Sequence, residues 1–193
     1  AQGYSELASD ALIANTASQA AHTALDESVY DVLGEACAGL KPVGRLDRAS
    51  SGLLLMTSDF ELADWITDPR HGVPRVYVVT VRGRVERATL GRLTAGVGSA
   101  DGVLRASAVE LRKVSGRESH LTVELREGKN REVRRLFDSL GHEVAWLKRV
   151  ALGGLLLDRV PPGGWRPLTP HEVRRAFPGC RLHEFSEPPD RRS

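Results

Sequence analysis

The sequence predicts an α+β fold: a mixed, mostly antiparallel β-sheet flanked by short helices. Three observations carry this. Residues 75–83 (R-V-Y-V-V-T-V-R-G) alternate with period two, and because both faces are largely apolar the segment reads as a central strand. Residues 104–111 and 120–125 are two more alternating stretches joined through Ser115-Gly116-Arg117, a hairpin pattern. Val133, Leu136, Phe137 and Leu140 recur at i, i+3, i+4, i+7, the spacing of an amphipathic helix. With 193 residues the chain can bury a core as one moderate domain or two small lobes, without disulfide or metal.

Taken in order, residues 1–28 are rich in Ala, Ser and Thr, carry little charge and begin without Met, as expected of a processed or truncated product. They form a poorly legible stretch. Val29, Val32 and Leu33 predict a short helix over 29–38 that ends at Gly39. Leu53 to Met56 form an apolar run suited to a buried strand. Ser58-Asp59-Phe60-Glu61 has the form of a capping box, with Leu62, Trp65 and Ile66 on one face of about two turns of helix before Pro69. Residues 86–93 read as a surface helix and 96–102 as a glycine-punctuated turn. Gly128 permits a turn out of the preceding strand, and Asn130 is placed to cap the helix that follows. Residues 144–157 hold two apolar segments split by Gly153-Gly154, and Pro161 to Gly164 make a turn. Thr169-Pro170-His171-Glu172 is a second capping box, opening a last helix that Pro178 stops. Residues 184–193, with two prolines and mostly polar or charged side chains, have the composition of a disordered tail.

The chemistry concentrates in residues 41–57, K-P-V-G-R-L-D-R-A-S-S-G-L-L-L-M-T. Asp47 lies between Arg45 and Arg48 at the mouth of a turn-rich loop that runs into the apolar strand. A carboxylate flanked by cations suits a nucleophile or electrostatic partner better than a proton donor. An Arg-Asp-Arg surface ion-pair cluster is the bland alternative. On a helical wheel Arg134 falls on the shoulder of the buried stripe, whereas Arg131 and Arg135 point to solvent.

G-R-L-D-R-A-S-S-G-L-L-L-M-T resembles the signature of the RsuA family of ribosomal RNA pseudouridine synthases, with its RluB, RluE and RluF relatives, which is close to G-R-L-D-x-x-[ST]-x-G-L-L-L-x-T. Two more stretches extend the likeness over roughly residues 41–173. Arg75 and Tyr77 stand where the family has K-x-Y-x-V, and E-G-K-N-R-E-V-R-R-L at 127–136 is similar to its E-G-x-N-R-Q-V-R-R-M. The resemblance implies a pseudouridine synthase fold with the active-site cleft between two lobes, and a catalytic domain over 29–183. It implies Asp47 as nucleophile, Tyr77 as the ring that packs on the target uracil, and Arg134 as the cation that ion-pairs with Asp47. Arg45, Arg48, Lys129, Arg131 and Arg135 are then the candidate RNA contacts. Departures are Ser58 and Phe60 for the family's Asn and Gly, Glu132 for its glutamine, and no legible small S4-type RNA-binding module or L-N-K-P-x-G strand near the start. The nearest fragment to that strand is Ala14-Asn15-Thr16-Ala17-Ser18.

The implied reaction breaks the N1–C1′ bond of a uridine, turns the uracil and rejoins it through C5, with no cofactor. It asks for a carboxylate that attacks sugar or base or steadies charge at the anomeric carbon, a flat wall for the detached uracil, and an orienting cation. A hydrolytic glycosidase would want a second carboxyl group, and none stands out near Asp47. The expected partner is ribosomal RNA, with that of the large subunit favoured by the missing S4 module; the alternative is a catalytically impaired RNA-binding or ribosome-assembly factor on the same fold. Net charge is only +2, but the basic residues are mostly Arg, the better phosphate fork. The histidines lack ligand-like spacing, so no catalytic metal is expected, and Cys37 and Cys180 form no C-x-x-C. Isolated thiols, no membrane-length apolar run and no signal pattern point to a soluble, cytoplasmic protein, and a monomer is expected.

Overall fold

The computed structural model describes residues 11–16, 30, 33–99 and 102–180. Among them eleven strands appear: β1 (Ala11–Thr16), β2 (Lys41–Pro42), β3 (Ser51–Thr57), β4 (Arg75–Arg82), β5 (Val97–Ser99), β6 (Gly102–Leu104), β7 (Ala108–Val114), β8 (Glu118–Leu125), β9 (Val144–Leu152), β10 (Leu155–Leu156) and β11 (Trp165–Pro167). The helices are α1 (Phe60–Thr67), α2 (Arg87–Ala95), α3 (Glu132–Asp138) and α4 (Pro170–Ala176). Nine strands form one sheet in the order β11-β1-β3-β9-β4-β8-β7, with β10 on β9 and β2 on β3; β5 and β6 pair separately. Every pairing is antiparallel except β3 with β9. The predicted α+β class and mostly antiparallel sheet are what the chain adopts.

That parallel joint divides the molecule. It is short, matching only Ser51 with Lys148 and Gly52 with Arg149. On one side, Leu53 and Leu55 of β3 pack with Ile13, Leu62 and Ile66 of α1, and Val173 of α4. On the other, Val79 and Val81 of β4 pack with Leu93 of α2 and Val133, Leu136 and Phe137 of α3. A third cluster covers the opposite face of β1 and β3, where Leu12, Leu54 and Met56 meet Leu33, Cys37 and Leu40. β3 is buried throughout its length, as its apolar run predicts. Two cores meeting at a thin seam leave a cleft between lobes.

Several local expectations change. The poorly legible N-terminal stretch supplies an interior strand, β1, paired to both β3 and β11. Its alanines hid it, yet Ala11 to Ala14 are all buried and the Asn15 amide donates to the Val160 carbonyl at 2.7 Å. The helix expected over 29–38 is a 3-10 turn at Gly34–Cys37, and Val29 and Val32 lie outside the described residues, as does the tail at 184–193. Asp59, not Ser58, caps α1, its carboxylate accepting from the Leu62 amide at 2.9 Å. Thr57 Oγ1 takes the Asp59 amide at 3.1 Å and helps hold that residue extended, which moves the cap by one position. The turn expected over 96–102 is the β5–β6 hairpin. The capping box at Thr169 and Glu172 forms with both reciprocal bonds.

Candidate active site

The cleft at the seam holds a cavity of about 320 Å³, within the size range of small-molecule sites. One wall is the 43–50 loop that enters β3, with Asp47 and Ser50; the opposite wall is residues 128–133, leading into α3. Arg75 and Tyr77 of β4, Leu125 of β8 and Leu147 and Arg149 of β9 also line it. The Ser50 amide donates to the Asp47 carbonyl at 2.8 Å, so the loop closes as a turn that presents the Asp47 carboxylate to the cavity rather than to β3. Tyr77 lies on the core-facing side of β4, as the alternation predicts, and is half-buried.

Two cations of the 131–134 segment take roles other than those expected. Arg131 Nη1 comes within 3.9 Å of Asp47 Oδ2. Arg134, on the shoulder of the helix as the wheel predicts, donates to backbone instead: Nη1 to the Val144 carbonyl at 2.9 Å and Nη2 to the Ala49 carbonyl at 2.7 Å. It thereby ties the loop two residues past Asp47 to the start of β9. Burial lowers the Arg134 pKa, Arg131 lowers it further, and the Asp47 carboxylate opposes both. The expected direct Arg134–Asp47 ion pair is absent among the described residues: both Nη atoms bond carbonyls, and Nε is buried without a partner among those residues.

Arg131 reaches Asp47 from an unusual backbone. It occupies the N-cap position of α3 at φ 47°, ψ 33°, left-handed for a residue with a side chain, and Asn130 does not cap. Glu132 is the cause. Its Oε2 accepts from the Gly128 and Lys129 amides at 3.0 and 2.9 Å, folding the turn tightly ahead of the helix. Its Oε1 is buried without a partner, and burial raises its pKa above the ordinary carboxylate value. Below the turn lies Arg75, also buried, donating to the Val73 and Ile66 carbonyls at 2.8 and 3.0 Å. Gly128 rests on that guanidinium; a Cβ there would come within 3.1 Å of Arg75 Cζ.

Of the five candidate RNA contacts, Arg45, Lys129 and Arg131 line the cavity, while Arg48 and Arg135 lie outside its wall. Arg45, Arg48 and Arg131 are exposed. Lys129 Nζ is already held by Glu127 at 2.6 Å and the Val103 carbonyl at 2.9 Å. Arg135 does not face solvent freely as the wheel predicts: it is half-buried against the β5–β6 hairpin, with Nη2 on Ser99 Oγ at 3.0 Å. Sequence reasoning missed Arg149 altogether. Its signal was a charge at an inward position of an alternating strand, between Leu147 and Ala151, both buried.

A sequence profile described as RNA pseudouridylate synthase matches residues 27–139. An RNA pseudouridine synthase of Aquifex aeolicus (strain VF5) is 38% identical over 141 residues, covering 73% of this chain and 57% of that protein. Ribosomal large subunit pseudouridine synthase B of Bacillus subtilis (strain 168) is 38% identical over 136 residues, covering 69% and 56%. The chain thus spans little more than half the length of these relatives. A crystal structure of pseudouridylate synthase superposes with a TM-score of 0.73 at 25% identity, over 86% of this chain and 73% of that one. A profile match across more than half of the residues, joined to a lobed sheet with an aspartate and a tyrosine facing one cleft, places this chain in the RNA pseudouridylate synthase family.

Proposed function

We propose that the chain is the catalytic unit of a ribosomal RNA pseudouridine synthase, an isomerase that converts one uridine of large-subunit rRNA to pseudouridine. The observation that carries the reading is that Asp47 and Tyr77 line one cavity, an ionisable nucleophile and a flat aromatic ring in the same cleft. Asp47 engages the ribose carbon as uracil departs, and the Tyr77 ring holds the detached base. Arg134 acts on Asp47 through the Ala49 carbonyl, which makes it a positioning residue, and Arg131 supplies the nearby positive charge. A uridine reaches this depth only when flipped from its helix or offered by a loop, at a cost of a few kcal/mol that contacts to the RNA backbone offset. The exposed Arg45, Arg48 and Arg131 suit those contacts, with Lys129 and Arg135 holding the framework beside them.

The large-subunit target rests on the names of the relatives. Among the described residues no helix is long and apolar enough to cross a membrane. The enzyme works on rRNA in the cytoplasm as a monomer, which light scattering of the purified chain tests. Activity is tested by incubating the chain with unmodified rRNA and mapping pseudouridine by a specific chemical adduct and primer extension. The expected result is one new stop with the wild type and none with Asp47→Asn, whose amide keeps the shape and loses the nucleophilic charge. RNA binding with no stop for either protein would instead identify a non-catalytic RNA-binding factor.

A further inference from the structure

Arg149 is 3% exposed and lines the cavity that holds Asp47 and Tyr77. It is the cross-strand partner of Tyr77, and such neighbours have Cβ atoms about 4.5–5.5 Å apart. The β4–β9 register slips beside this pair: Val76 faces Ala151 while Tyr77 faces Arg149, leaving Val150 as the extra residue of a bulge. Bulges re-aim side chains, often beside active sites. Among the described residues Arg149 uses its Nε, which bonds the Leu53 carbonyl at 2.7 Å across the seam. Its Nη2 is buried with no partner among them. A buried, unused guanidinium donor costs free energy unless something occupies it in the working state.

We infer that Arg149 is a further catalytic residue, whose free guanidinium donor binds a carbonyl oxygen of the flipped uracil and stabilises the charge that the base acquires as it leaves the ribose. The inference rests on the functional reading above. When the N1–C1′ bond breaks, its electron pair stays on uracil N1 and is shared by conjugation with O2 and O4, while C1′ is taken by the Asp47 carboxylate. After the base turns, C5 bonds C1′ and the carboxylate regains its pair; C5 then releases its proton to solvent and N1 takes one up, so the sum is an isomerisation. Between these steps the negative charge resides on the base, away from Asp47. A fixed donor in a closed site acts on such charge without reorganisation. Tyr77 holds the face of the ring, and the donor on the adjacent strand meets its edge. The other orphaned groups serve less well: Glu132 Oε1 bears the wrong charge, Ser50 Oγ is neutral, and Arg134, whose Nε is also unpartnered, does not line the cavity.

The experiment is single-turnover isomerisation of an RNA carrying uridine, 2-thiouridine or 4-thiouridine at the mapped nucleotide, with wild type, Arg149→Lys and Arg149→Gln. Melting curves and RNA affinity are measured in parallel. Loss of one oxyanion-type donor lowers the rate by about 100- to 1,000-fold, so Arg149→Gln should fall in that range with RNA affinity within a few-fold of wild type, and Arg149→Lys should fall between the two. Sulfur is the poorer acceptor, so one thio-substrate should slow the wild type, and that penalty should vanish in Arg149→Gln because both changes remove the same bond. Penalties that multiply for both thio-substrates, or a rate loss matched by an equal affinity loss, would overturn the assignment. If Arg149→Gln does not fold, the wild type and Arg149→Lys decide: equal wild-type rates on all three RNAs overturn it, as does a sulfur penalty that Arg149→Lys leaves unchanged, and slowing by a single sulfur that Arg149→Lys reduces supports it. No turnover of the unmodified RNA would defeat the functional reading itself, and this inference with it.

Discussion

Gly52 is the residue on which the seam between the lobes depends, and Gly52→Ala is the sharpest test of that geometry. Its φ is 107°, outside the range of residues with a side chain, and an added Cβ would lie 2.1 Å from the Arg149 carbonyl oxygen, 2.8 Å from the Arg149 nitrogen and 2.9 Å from Lys148 Cγ. Two of these are backbone atoms, so a rotamer change cannot relieve the clash. The backbone conformation costs an L-residue about 1–3 kcal/mol. Separating β3 from β9 forfeits ladder bonds at Ser51–Lys148 and Gly52–Arg149 at about 0.5–1.5 kcal/mol each. The total is about 4 kcal/mol, and at roughly 2–4 °C per kcal/mol for a chain of this size the melting temperature should drop by about 8–16 °C. Gly91→Ala is the internal control: Gly91 sits in α2 with no heavy atom near the added Cβ, so it should stabilise by about 0.5–1 kcal/mol. Both are measured by equilibrium denaturation and thermal melting. A Gly52→Ala protein melting within about 2 °C of wild type would show that the seam tolerates separation, and the close approach of β3 to β9 would lose its place in the account.

The remaining predictions concern single side chains. Burial raises the Glu132 pKa, so the folded state binds the proton more tightly than the unfolded chain, and this group's contribution to stability falls as pH rises through the window above the ordinary carboxylate range. Glu132→Gln, able to accept the same two amides, should therefore gain stability over wild type across that window in urea titrations; a pH-independent difference would contradict a buried ionised carboxylate. Arg134→Ala should destabilise by about 2 kcal/mol, since it releases the Ala49 and Val144 carbonyls from a charged donor, and should slow turnover more than it weakens RNA binding. The reverse pattern in a single-turnover assay would make Arg134 an RNA contact. Arg131→Ala should reduce the slope of log K against log salt by about 0.7–0.9, while Arg135→Ala should leave it unchanged, because Arg135 is engaged by Ser99. Equal slope changes in filter binding would restore Arg135 as a phosphate contact.

Local periodicity and capping chemistry were enough to read β3, β4, the β7–β8 hairpin and α1, α3 and α4 from the sequence, because each has a pattern decided within one element. The Asp47 loop was legible for the same reason: a charged, turn-rich stretch fused to an apolar strand has few other uses. β1 was not legible, since Ala11–Thr16 carries its identity only through what it touches, pairing with β3 on one edge and β11 on the other. Nor was the wiring of the cations. A helical wheel places Arg134 on the shoulder of α3 but cannot say that carbonyls from the 43–50 loop and β9 will be there to take its two Nη groups. It cannot foresee that Glu132 will fold the preceding turn and swing Arg131 toward Asp47. Arg149 offered only its charge at an inward strand position, because its environment comes from two strands distant in the chain, β3 and β4. Secondary structure follows from neighbours a few residues apart, whereas which charge meets which depends on long-range packing that brings residues 47, 77, 131 and 149 to one seam.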